Sequence, residues 1–263
     1  MPLTAITPEQ FAAKSWKRNT DYAFAARTNI LPVIAAELSH LVPAMPLAFV
    51  RADAAFQLVA VAALQRDENF FVAPDGRWIG DYVPATLRAH PFRLLKPQDR
   101  DESVLCFDTD SGLLAEAGQG MAFFDEAGAP APALKDMLGF LAQIESSRTA
   151  TQAAADALQS AGLIQAWPLN LRQGEQTLTV DGLYRIDEAG LNALPDEGFL
   201  SLRKSGALPL AYAQLLSMNQ LNKLQQAATL QAKLREQARA ASQAPGIADL
   251  GFRMSEGGTF KFS

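Results

Sequence analysis

Between residues 46 and 107 the apolar positions come in short runs, "PLAFVR", "FQLVAVAALQ", "NFFVA", "FRLL" and "SVLCFD", separated by Gly, Pro and Asp. Runs of that length, continuous or alternating and bounded by turn residues, predict β-strands. Pro74-Asp75-Gly76 presets one φ and accepts a positive one, which predicts a hairpin joining "NFFVA" to "RWIG". Upstream, "ILPVIAAELSHL" (residues 30–41) spaces its apolar positions by three and four with Pro32 in the first turn, the pattern of a helix. Residues 1–29 mix polar positions with Trp16, Tyr22 and Phe24 and read as an irregular lead-in whose rings pack on the core.

From Ala131 the period changes to that of a helix through "APALKDMLGFLAQIESSRTATQAAADALQSAGL", with the Ser-Ser-Arg-Thr patch from Ser146 as a candidate break and Gly162 where the helix stops. "WPLNLRQGEQTLTVDGLYRID" predicts a β pair turning at Gln173-Gly174, followed by a short helix in "EAGLNALPDEGFLSLRKSG". The last long run, residues 208–243, is helical. Its stripe Leu221, Leu224, Ala228, Leu234, Ala238, Ala241 fades from leucine to alanine, so the helix is expected to leave the core and project or pair with a partner. The tail "GFRMSEGGTFKFS" alternates Phe252 and Met254, then Phe260 and Phe262, about Gly257-Gly258, as a hairpin does. The fold class expected is α+β: a strand-rich first half (1–130) and a helix-rich second half (131–263) around one core, in a single domain over residues 1–263 with a long C-terminal helix.

Composition narrows the function classes. Of 263 residues, 49% are hydrophobic and 19% charged, the balance of a folded chain. A net charge of −5 gives no basic field for a phosphate backbone, which argues against nucleic acid as partner. Cys106 is the single cysteine, so no internal disulfide rewards an oxidising compartment. "MPLTAITPEQ" lacks the basic start and apolar run of a secretory signal, and no stretch approaches the roughly 18 apolar residues of a membrane span. A cytoplasmic location is expected.

Candidate chemistry is sparse. His40 and His90 are the only histidines, and no CxxC or HxxxH spacing offers a metal site. His40, near the end of a helical pattern, reads as a cap or surface residue. Cys106, flanked by Leu105 and Phe107 on a strand, reads as a small buried apolar residue rather than a nucleophile. There is no GxSxG elbow, GxxxxGK[ST] loop or GxGxxG fingerprint, and no cofactor is implied. What stands out is the block "GRWIGDYVPATLRAHPFRL". Trp78, Tyr82, Arg88, His90 and Phe92 bring rings and a planar donor fork into a proline-stiffened platform, a mixture that suits a peptide or extended protein segment.

The same block, with "PLAFV" and "LCFD" around it and "DGLYRIDEAGLNALPDEGFLSLRKSGALPLAYAQLLSMNQLNKL" downstream, resembles the SapC-like family, named after a bacterial protein linked to surface S-layers. The family pattern often has an aromatic where His90 stands. The resemblance implies Gram-negative bacteria and systems of nutrient uptake or peptide modification. It supplies no catalytic residues to carry over, and the family's occasional label of peptide transport permease conflicts with the missing span. The first reading is therefore a peptide- or protein-binding adaptor, with a contact between copies through the C-terminal helix. Two alternatives stand beside it: an enzyme assembling Tyr82, Arg88, His90 and Asp108, and a structural subunit of an S-layer-related assembly. The enzyme is the less favoured.

Overall fold

The computed structural model describes residues 3–97, 102–173 and 176–243. Three short strands, β1 (Leu3–Ala5), β2 (Lys14–Trp16) and β3 (Ile30–Pro32), and one turn of helix, α1 (Pro8–Phe11), make up the lead-in. The helix expected over residues 30–41 is a correction. Ile30–Pro32 pairs as an edge strand, a 3-10 turn covers Ala35–Glu37, and only Leu38–Leu41 (α2) is α-helical. Pro32 can sit in a strand because β3 lies at the sheet edge, where a missing N–H breaks no ladder.

Next come the hairpin β4 (Leu47–Ala52) and β5 (Ala55–Val61), then α3 (Ala85–Arg88), β6 (Phe92–Leu95) and β7 (Val104–Asp108). Two small strands follow, β8 (Leu114–Glu116) and β9 (Met121–Ala122), and then the long α4 (Pro132–Ser160). Beyond it lie β10 (Ile164–Ala166), β11 (Leu169–Gln173), β12 (Gln176–Val180) and β13 (Leu183–Ile186). Helices α5 (Glu188–Asn192), α6 (Asp196–Lys204), α7 (Ala207–Ser217) and α8 (Leu221–Gln243) complete the described chain. The architecture is α+β, strand-rich first and helix-rich afterwards, with a long C-terminal helical run. The turn at Gly174 and the hairpin expected in residues 251–263 lie outside the described residues.

The main sheet is antiparallel in the order β10-β13-β4-β5-β3, so the hairpin of the first half is completed by strands of the second. Leu47, Ala48 and Phe49 are all buried, which is why β4 reads as a continuous apolar run rather than an alternating one. Helices α4 and α7 contact this sheet. Two smaller sheets, β1-β7-β6 and β8-β2-β9, flank a second apolar cluster built on Phe11, Trp16, Phe92, Phe107 and Phe123. Edge-to-face contacts join these rings, with Trp16 and Phe92 centroids 4.7 Å apart.

Helix α4 belongs to both clusters. Leu134 and Leu141 serve the aromatic one, and Ala154, Ala155 and Leu158 the main one. It runs unbroken through the Ser-Ser-Arg-Thr patch, where the Thr149 hydroxyl donates back to the Glu145 carbonyl of the same helix at 3.2 Å. Ser147 Oγ and Thr151 Oγ1 accept the Ala36 and Ala35 N–H groups at 3.2 and 2.8 Å, capping the 35–37 turn from outside. Gly162 ends the helix with φ +70°, as the sequence predicts. Among the described residues no helix is long and apolar enough to cross a membrane.

Candidate functional site

Residues 82–88 gather on one buried carboxylate. Glu37, 3% exposed, accepts the Ala85 N–H at 2.5 Å, the Tyr82 hydroxyl at 2.9 Å and the Ile34 N–H at 3.4 Å. Three donors offset the desolvation that burial imposes on a carboxylate. The Ala85 N–H opens α3, so Glu37 also fixes where that turn begins. Arg88, at the end of α3, donates from Nη2 to Tyr82 Oη at 2.9 Å and from Nε to the Val83 carbonyl at 3.1 Å, with Glu37 Oε1 3.9 Å away. Its guanidinium carbon lies 5.4 and 5.1 Å from the ring centroids of Tyr82 and Phe140.

Trp78 and Tyr82 are half-buried and spend their polar atoms internally. Trp78 Nε1 donates to the Tyr82 carbonyl at 2.9 Å, and its ring stacks on Phe71. Gly80 permits this fold-back, since a Cβ there would lie 2.8 Å from Trp78 Nε1. Tyr82 stacks on the exposed His40 at 5.1 Å. Burial, and then the Glu37 charge, raise the Tyr82 phenol above its ordinary range, with Arg88 opposing, so its hydroxyl stays a donor. The Pro74-Asp75-Gly76 turn forms as predicted, but the strands expected on either side do not. A single bridge, Val72 to Trp78, joins the two sides, and the Phe71 N–H goes to the Asn69 side chain instead of a ladder. Gly76, at φ +81°, sits so close to Asp21 that an added Cβ would overlap its carboxylate.

Phe92 is a correction to the outward platform. It is 1% exposed and sealed among Trp16, Phe107 and Phe123. The sequence run could not separate it from its neighbours, because β6 begins there and turns that ring into the aromatic cluster. Arg88 is exposed, and His90 is half-buried, stacked on Phe24 with centroids 3.9 Å apart. Burial holds the His90 imidazole below its ordinary range; the nearby Asp108 charge pulls it back and Arg93 does not.

Arg88 and His90 meet again in a cleft of about 420 Å³, between the lead-in, the end of α3 and the first turns of α4. Trp16, Arg18, Asn19 and Tyr22 line it from the lead-in, and Asp136 and Phe140 from α4. Trp78, Tyr82 and Asp108 do not line it. Asp108 is buried and accepts the Asp110 N–H at 3.1 Å, so the four enzyme candidates do not converge on one cavity. Trp16 Nε1 and Asn19 Nδ2 are shielded from solvent and have no hydrogen-bond partner. A buried donor left unmet costs roughly 1–3 kcal/mol, and with no solvent-accessible surface neither nitrogen opens into the cleft. Sequence reading placed Trp16 on the core but passed over Arg18, Asn19, Asp136, Phe140 and Glu37. Glu37 carried the one available signal, a lone acid within "VIAAELSHL".

A larger groove of about 920 Å³ lies between α8, β11 and residues 64–70. Three of its polar side chains are engaged: Gln231 Nε2 donates to the Asn69 and Val72 carbonyls at 2.7 and 2.8 Å, and Arg235 pairs with Glu68 at 3.2 Å. Cys106 is buried, burial pushes its thiol pKa up, and its Sγ lies 3.7 Å from the Val104 carbonyl, which is not the setting of a thiolate nucleophile. Among the described residues no three of His, Cys, Asp and Glu gather as metal donors.

Neither the curated proteins nor the solved structures contain a match to this chain. The family model described as SapC matches residues 6–224, a span that includes the Glu37 hub, the cleft, the aromatic cluster and all of the main cluster's buried residues except Ala227. The chain belongs to the SapC family.

Proposed function

We propose that the protein is a peptide- or protein-binding adaptor whose docking surface is the Arg88 cleft. The observation that carries this reading is an exposed guanidinium, held by Tyr82 and Val83 over the Phe140 ring, at the rim of a cleft lined by Trp16, Tyr22 and Phe140. The cleft volume lies within the range of specific ligand sites, and its mixture of rings and fixed polar groups suits an extended segment. Trp78 and Tyr82 belong to the support of the site: they hold α3 and Arg88 in place. Phe92 supports it from beneath through Trp16.

The reading extends to a contact between copies along the C-terminal helices, where Leu216, Leu230 and Tyr212 expose large apolar surfaces. The test of the cleft is a peptide array probed with the native chain and with Arg88→Gln. The native chain captures a defined set of sequences, and the variant, folded by circular dichroism, loses that set. Identical capture by both chains would remove the cleft from the function.

A further inference from the structure

We infer that the groove between α8, β11 and residues 64–70 is the seat of the segment that follows α8, with Leu250, Phe252 and Met254 laid along the helix as an extended strand. This seat is separate from the Arg88 cleft. Leu64, Phe70, Leu169 and Leu221 line the groove and pack on the main cluster, yet each is only partly buried. On the helix wall, Leu224, Ala228 and Ala232 recur every four residues and so share one face. Two of those three are alanines, whose short side chains leave room for larger ones from outside.

The sequence after Gln243 supplies a matching segment. Pro245 cannot continue a helix and Gly246 accepts a turn, which lets the chain double back along α8. "LGFRMS" (residues 250–255) then alternates apolar with other positions, so an extended strand puts Leu250, Phe252 and Met254 on one face. The spacings agree. Two strand residues advance about 6.6 Å and four helical residues about 6 Å, so alternate strand residues keep step with the 224, 228 and 232 row. The reach agrees as well. Ala232 stands 11 residues before Gln243, about 16 Å along the helix. An extended chain from Pro245 covers that distance in about five residues, at Leu250. Leu250 then meets Ala232, Phe252 meets Ala228 and Met254 meets Leu224, with Leu64 and Phe70 on the opposite wall. A seated strand needs partners for its peptide groups, and the side-chain amides of Gln65, Asn222 and Gln225 line the same groove.

Disulfide trapping in the full chain tests the seat. Leu250→Cys is combined either with Ala232→Cys, in the groove wall, or with Lys233→Cys, one residue further along α8 and outside the groove lining. The two pairs close loops of almost equal length, so an undocked segment would join them at equal rates. Cys106 is buried and stays in place, and peptide mapping assigns each bond. The 232–250 bond is expected to form within one chain, about tenfold faster than the 233–250 bond. Phe252→Ser with Met254→Ser is expected to erase that preference. Equal rates at the two positions would overturn the seat, as would a preference that survives the loss of Phe252 and Met254. A 232–250 bond found only between two chains would also overturn it and would give the groove to a second copy. The unaltered chain provides a reading free of substitutions. Amide exchange at residues 250–254 is expected to be about tenfold slower than in the isolated peptide of the same sequence, and equal exchange would count against any docking.

Discussion

Glu37 sets the local order at the residue scale, since its carboxylate is the acceptor shared by the 34–37 turn, Tyr82 and the start of α3. Glu37→Ala leaves the Ala85 N–H and the Tyr82 hydroxyl without their acceptor, and a loss of about 3 kcal/mol in urea unfolding is expected. Glu37→Gln, which keeps an acceptor oxygen, is expected to cost less. His90 provides a pH signature. Its folded-state pKa is lowered by burial, so its contribution to stability is present above the unfolded value of about 6.5 and is lost as pH falls towards the folded value. His90→Phe keeps an aromatic ring against Phe24 and removes the titration. Its thermal stability is therefore expected to fall less than that of the native chain as pH drops below about 6.5, measured by melting temperature across that range.

At the element scale, two long helices hold the irregular segments. Helix α4 caps the 35–37 turn with Ser147 and Thr151, and α8 clamps residues 69–72 through Gln231. Gln231→Ala removes two hydrogen bonds to carbonyls in a buried setting and is expected to destabilise by about 1–3 kcal/mol, with faster amide exchange across residues 69–72. The clamp lies within the docked part of α8. Leu224, Ala227 and Gln231 are buried, Leu234 is half-buried, and from Arg235 to Ala240 the helix is exposed. The departure from the core expected from the fading stripe therefore begins after Leu234. A polar Gln on the docked face is invisible to hydrophobic periodicity, because its burial depends on carbonyls that only the folded loop presents.

On the scale of the whole molecule, a sheet completed by strands from both halves ties the two parts of the chain together, while α4 joins the main and the aromatic clusters. Leu216, 60% exposed, lies on the outer side of this assembly with Tyr212. A contact between copies at that face is expected to raise the mass seen by sedimentation and to be lost in Leu216→Glu; a native chain that sediments as a monomer at all concentrations would remove the contact. By itself the sequence determined the strands around residues 47–61, Phe92–Leu95 and Val104–Asp108, the helical second half, the Pro74–Gly76 turn and the stop at Gly162, because periodicity and turn chemistry act over a few neighbouring residues. The strand expected in residues 69–73 does not form. The tertiary structure alone decided that residues 30–32 pair as an edge strand, that Phe92 turns inward while Arg88 turns out, and that Arg18 and Asn19 meet Arg88 across some 70 residues of chain. The direction of one side chain depends on the strand or turn beneath it, and a donor's lack of partners depends on every segment that folds around it.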